Sequence, residues 1–178
     1  MTYSFEEFKR EAVLGLVYQM AVSAKTAPKA RGADSVRIAV VTGDDKQRLA
    51  DAMHAIGEAT GDKHWHRDAT NVEQADAVLL LGASRRDHLG ANCGACGYPT
   101  CNDRVRAGDK APLCAFKLVD LGVAAGSAAK TASILNLDNR IMFRAGAVAR
   151  QLNLIDADYI LAIPVSATEK SIFFDRST

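Results

Sequence analysis

Residues 114–136 read CAFKLVDLGVAAGSAAKTASILN, a stretch apolar or small on nearly every side and interrupted only by the charges of Lys117, Asp120 and Lys130. A helix with no continuous polar face belongs in the middle of its fold. Its centre, Ala124-Ala-Gly-Ser-Ala-Ala129, lacks large side chains, so something rigid approaches its backbone closely. A second helix is the plainer candidate and a planar cofactor the sharper one.

Outward from that helix toward the N-terminus, residues 84–114 break all periodicity and contain every cysteine of the chain. Before them, Ala77-Val-Leu-Leu-Leu81 is a continuous apolar run bounded by Asp76 and Gly82, short enough for a strand buried on both faces. Val36-Arg-Ile-Ala-Val-Val41 is β-branched and reads as a second strand, stopping at Gly43-Asp-Asp45. Leu49, Ala52, Met53 and Ile56 give the following segment one apolar helical face, with Gly61 at its exit. Asp62 to Glu73 has no clear period and reads as loop. At the start, Ser4-Phe-Glu-Glu7 is a capping box. Phe5, Phe8, Ala12, Leu16 and Met20 follow at helical spacing, widened by Val13 and Val17, and Pro28 ends that helix.

On the other side, a helix is expected from about Arg140 to Leu152 and a strand at Tyr159-Ile-Leu-Ala-Ile163 before Pro164. The polar tail from Ser166 to Thr178 is expected to lie over a neighbour. Three strands and four helices around a large loop predict a small α+β domain spanning residues 1–178, with 84–114 as an inserted cysteine-rich loop.

Composition narrows the function. The 178 residues carry 22 basic and 21 acidic side chains, a net charge of +1, which lacks the basic footprint of a nucleic-acid or membrane-surface binder. The longest uncharged stretches are too short or too polar to span a bilayer. Glu6, Glu7 and Glu11 stand where a secretory leader would be basic, so the cytoplasm is the expected compartment and reduced thiols the expected state.

The cysteines follow the spacing C-x2-C-x4-C-x12-C: Cys93, Cys96, Cys101 and Cys114. A CxxC turn presents two thiolates and a short Gly/Pro-shaped loop brings a third, as a chain wraps a sulfur-bridged iron cluster. Gly94 and Gly97 let backbone N–H groups approach the cluster sulfurs. Cys114 directly precedes the central helix, whose positive end would face the anionic cluster. One [4Fe–4S] cluster is the leading reading. A two-iron cluster takes the same four thiolates, and zinc in a structural or interaction module is the alternative, although zinc sites usually show two CxxC knuckles.

His64-Trp-His66 has no accompanying carboxylate pattern and reads as a surface string. His88, five residues before Cys93, is a weaker candidate for tuning the cluster. Lys29, Arg31 and Arg37 read as a solvated basic face. No Walker loop, GxGxxG or Ser/His/Asp constellation is present, and no catalytic residue stands out.

Two resemblances build on these residues. The block from Cys93 to Cys114, with Cys114-Ala-Phe-Lys-Leu-Val-Asp-Leu-Gly122, Thr26-Ala-Pro-Lys-Ala-Arg-Gly32, Ile163-Pro-Val-Ser-Ala-Thr168 and Phe173-Phe-Asp-Arg176, resembles the uncharacterised ferredoxin-domain-containing proteins. That resemblance implies the four cysteines as cluster ligands. The helix ending at Ala27-Pro28, the strands at Ile38–Val41 and Asp76–Leu81, the small-residue helix, the turn Leu137-Asp-Asn-Arg140 and the strand Ile160–Pro164 are similar to flavin-dependent nitroreductases. This second resemblance implies a three-layer arrangement, a homodimer and FMN at the subunit interface. Lys29, Arg31, Asn139, Arg140 and Lys170 are the candidate flavin contacts, although none matches a nitroreductase motif by identity. Electrons would pass to a partner protein or to a small-molecule acceptor.

Overall fold

The computed structural model describes residues 1–174, so residues 175–178, including Asp175 and Arg176 of the C-terminal resemblance, lie outside the described part. Helix α1 (Phe5–Thr26) opens on the expected capping pair, with the Glu7 carboxylate accepting from the Ser4 N–H at 2.6 Å and the Ser4 hydroxyl at 2.7 Å. Strand β1 (Arg37–Val41) leads into α2 (Gly43–Thr60), which ends on Gly61 at φ 67°, a left-handed cap that glycine adopts without a Cβ clash. Then come α3 (Lys63–Gln74), β2 (Ala77–Ala83), the cysteine segment with its short helix α4 (Cys101–Arg106), α5 (Ala115–Ile134), β3 (Asp138–Asn139), α6 (Phe143–Gln151) and β4 (Tyr159–Ser166).

The sheet is antiparallel throughout, in the order β1-β2-β4-β3. β2 is buried at every position, because strands flank both its edges and helices cover both its faces. Alternation along the pleat divides the core. Leu79 and Leu81 meet Val17 and Met20 of α1 and Leu121 and Ala128 of α5. Val78 and Leu80 meet Leu49 and Met53 of α2, Val72 of α3 and Val148 of α6. The expected three-layer α+β arrangement is what the chain forms, with helices on both sides of a small sheet.

Several local expectations are corrected. Residues 62–73 are not a loop: they form α3 and its N-cap, with the Asp62 carboxylate accepting from the His64 N–H at 2.9 Å. The apolar period is hidden because the buried face of α3 carries Asp68 and Asn71 beside Ala69 and Val72. Asp68 is ringed by Arg67 at 2.7 Å, Arg144 at 3.2 Å and Arg140 at 3.8 Å. Pro164 does not end its strand; it pairs with Val78 inside β4. Its missing N–H falls on the side toward Arg140, which donates to the Pro164 carbonyl, so no ladder bond to β2 is lost.

In α1 the buried stripe is Val13, Val17, Met20 and Ala24, whereas Phe5 and Phe8 are 50% and 44% exposed. The small residues of α5 serve the plainer purpose, close contact with α1, where Ser127 and Thr131 hydrogen-bond to Ser23 at 2.7 and 2.8 Å. Another side of α5 is uncovered among the described residues, with Val119 59% and Val123 42% exposed. The described part of the tail folds back on its own chain: the Asn71 amide donates to the Ile172 carbonyl at 2.7 Å, and Phe173 is buried.

Candidate metal centre

Residues 84–114 leave the end of β2 and return at the start of α5, and two arginines tie the departing and returning strands of the loop together. Asp158, just before β4, accepts from the Arg85 N–H at 2.7 Å, the Arg85 guanidinium at 2.9 Å and the Ser84 hydroxyl at 3.2 Å. Burial alone would raise the Asp158 carboxyl, but these donors, with the charges of Arg85 and Arg150, outweigh it and hold the group below its usual range. Arg85 also donates to the Ala111 carbonyl at 3.1 Å. Arg104 of α4, only 1% exposed, donates to Pro112 at 2.8 Å and to the carbonyl of Arg85 at 2.6 Å.

Inside this frame the backbone turns tightly. Gly94 and Gly97 sit at φ 72° and 87°, and the Gly97 N–H donates to the Gly94 carbonyl at 2.9 Å, closing the turn that carries Cys93 and Cys96. The Asn92 side chain accepts from the Cys101 N–H at 2.9 Å. Thr100 caps α4 by accepting from the Asp103 N–H at 3.1 Å. Cys114 is the N-cap residue of α5.

The outcome is convergence: Cys93, Cys96, Cys101 and Cys114, all free thiols, line one narrow cavity walled also by Leu89, Tyr98 and Arg104. Exposure is graded around it, from buried Cys114 through half-buried Cys96 and Cys101 to exposed Cys93. Among the described residues, no three His, Cys, Asp or Glu side chains come close enough together to hold a single metal ion. A four-thiol donor set around a cavity, with a helix N-terminus and a buried guanidinium at its wall, fits an anionic sulfur-bridged cluster.

A buried ion pair couples this cavity to the segment before β1. Lys117 and Asp120, in the first turns of α5, lie 3.1 Å apart; Lys117 donates to the Ala33 carbonyl at 2.7 Å and Asp120 accepts from the Ala30 N–H at 2.8 Å. Between them Arg31 adopts φ 58° and reaches the carbonyl of Leu89, a cavity-wall residue, at 3.4 Å.

The five candidate flavin contacts do not converge as the cysteines do. Lys29 is not solvated: its side chain is 4% exposed and its ammonium donates to the Ala24 and Ala27 carbonyls at 2.7 and 2.8 Å, closing the C-terminus of α1. Arg31 points to the cysteine loop. Arg37 pairs with Asp87 at 2.6 Å. Asn139 lies in β3 and bonds the Leu137 carbonyl at 3.4 Å, while Arg140 reaches Asp68 and the Phe173 carbonyl. Lys170 lines a separate cavity of about 410 Å³ together with Arg67, Asn71 and Ser171. In its walls Asn71 Oδ1 and Ser171 Oγ are buried with no hydrogen-bond partner. No sequence signal separates Arg104, essential to the loop's frame, from Arg106 two residues later, whose side chain is 81% exposed. Arg85, Asp158, Lys117 and Asp120 were equally silent, since each pairs with a residue distant in the chain or looks like an ordinary helix charge.

Residues 110–176 match the family described as uncharacterized protein containing a ferredoxin domain (DUF2148). A protein of Archaeoglobus fulgidus, described only as an uncharacterized protein, is 41% identical over 182 residues, covering 99% of this chain and 98% of that one. Among solved structures, the nitroreductase CinD of Lactococcus lactis in complex with nicotinic acid superposes with a TM-score of 0.59 at 15% identity, over 88% of this chain and 78% of that one. A nitroreductase with bound FMN from Desulfitobacterium hafniense gives 0.57 at 13% identity over the same shares. At such identities the likeness establishes the fold and nothing finer.

Proposed function

The chain belongs to the family of uncharacterized proteins containing a ferredoxin domain and has a nitroreductase-type fold, and from that premise we propose that it is an iron–sulfur redox protein whose Cys93, Cys96, Cys101 and Cys114 hold one [4Fe–4S] cluster. The observation that carries this reading is the convergence of four thiols on one cavity. When bound, the cluster supplies one-electron chemistry at a potential that the surrounding protein sets.

The chain's own residues bind, orient and shield. The left-handed turn at Gly94 shapes the cavity wall between Cys93 and Cys96, and the N-terminus of α5 at Cys114 favours added negative charge there. Leu89 and Tyr98 limit water on the inner side. Cys93, the exposed thiol, marks the side from which a redox partner approaches.

Two extensions have their own support. Val119 and Val123 of α5 and Tyr18 and Val22 of α1 are exposed on two helices that pack together, and nothing stands within 4 Å of a side-chain carbon built at Gly15, Gly122 or Gly126. Such a patch on a small chain is an interface, and the occupant we propose is a second copy. A flavin-linked reductase is supported by the cavity beside Lys170, whose walls hold an unpartnered amide oxygen and hydroxyl together with Arg67. Titration of the cluster-loaded protein with FMN, followed by flavin fluorescence, tests this extension. Quenching supports a reductase, and none at tens of micromolar FMN leaves an electron carrier or redox sensor.

A further inference from the structure

His54 on α2 and His66 on α3 face each other with their Nδ1 atoms 3.1 Å apart and their rings tilted by 35°. This corrects the reading of His64-Trp-His66 as a plain surface string: His66 is half-buried, and its ring lies against the backbone of Gly57. A Cβ at Gly57 would stand 2.8 Å from His66 Nε2, so any other residue there would push the imidazole from its place. Gly57 lies in the last turn of α2, where its carbonyl accepts from the N–H of the cap residue Gly61. On the far side of His54, Nε2 lies 3.8 Å from the Glu73 carboxylate.

We propose that His54 and His66 form a two-imidazole chelate for a borderline divalent transition metal, Zn²⁺ being the representative ion, separate from the cysteine cavity. Two nitrogens ~2.1 Å from a tetrahedral ion lie roughly 3.4 Å apart, a small adjustment from the separation seen. Imidazole suits Zn²⁺, Ni²⁺ and Cu²⁺, and water completes the shell, since no third His, Cys, Asp or Glu joins the pair among the described residues. Glu73, 3.8 Å from His54 Nε2, is near enough to move in and accept that ring N–H once the metal binds, which would hold the tautomer that turns Nδ1 toward the ion. Both ligands sit on helices packed against the sheet, so binding would clamp α2 to α3.

The chain has only four histidines, which makes the test direct. Protein labelled with ¹⁵N in its imidazoles and purified without oxygen, its four thiols occupied by the cluster, is titrated with Zn²⁺. The Nδ1 resonances of His54 and His66 should move together, while those of His64, held by Asp62 at 2.7 Å, stay in place. Glu73→Gln should weaken the shift-derived affinity about tenfold. Gly57→Ala should abolish the joint shift, with circular dichroism reporting that the helices persist. If the His54 and His66 nitrogens do not move at several equivalents of Zn²⁺, the pair is only an imidazole–imidazole hydrogen bond and the proposal is wrong.

Discussion

Asp158 holds the departing strand of the cysteine loop with three hydrogen bonds, and its depressed pKa turns that hold into a pH dependence. A carboxyl whose folded pKa lies below its unfolded value stabilises the fold above the unfolded pKa, near ~4, and loses that contribution as the pH falls through the folded value. The stability difference between wild type and Asp158→Asn should therefore be open at pH 6 and close at lower pH in urea denaturation series. Arg104 gives a second residue-level prediction. Replacing it by Met leaves the Pro112 and Arg85 carbonyls buried without their donor, a loss of about 1–3 kcal/mol. Arg106→Met, by contrast, should cost less than about 0.5 kcal/mol, because its head group lies in water.

At the scale of elements, α6 lies so close to β4 that a Cβ on Gly146 would stand 1.8 Å from the Ile160 carbonyl oxygen. Gly146→Ala must push the helix off the sheet and should destabilise the protein by roughly 3 kcal/mol, read as a lowered urea midpoint. Most elements were legible in the sequence because their apolar residues keep a single period: β2 as an unbroken run, α2 through Leu49 and Met53, α5 through its composition. α3 was not legible. Its buried face is held by Asp68 and its arginines, and charge that neutralises charge leaves no hydropathy signal. β3 is only two residues long and exists by pairing with Val165 and Ser166, so local sequence could not announce it. The cysteine site was legible for the opposite reason, since spacing alone groups its ligands. The frame around it was not, because Arg85–Asp158 and Arg104–Pro112 are contacts the fold creates.

For the whole molecule, the apolar patch shared by α1 and α5 and the cavity of four thiols make separate predictions. Val119→Arg with Val123→Glu should turn a sedimenting dimer into a monomer while the iron content stays unchanged, since neither side chain reaches the cavity. Cys96→Ala should do the reverse, losing most of the iron because one cluster site loses its thiolate. The central claim is the cluster itself, and it is tested most directly by purifying the protein without oxygen and measuring its absorption spectrum, iron, zinc and acid-labile sulfide. The account predicts a brown protein with roughly four iron and four sulfide per chain. A colourless protein carrying one zinc and no sulfide would contradict it.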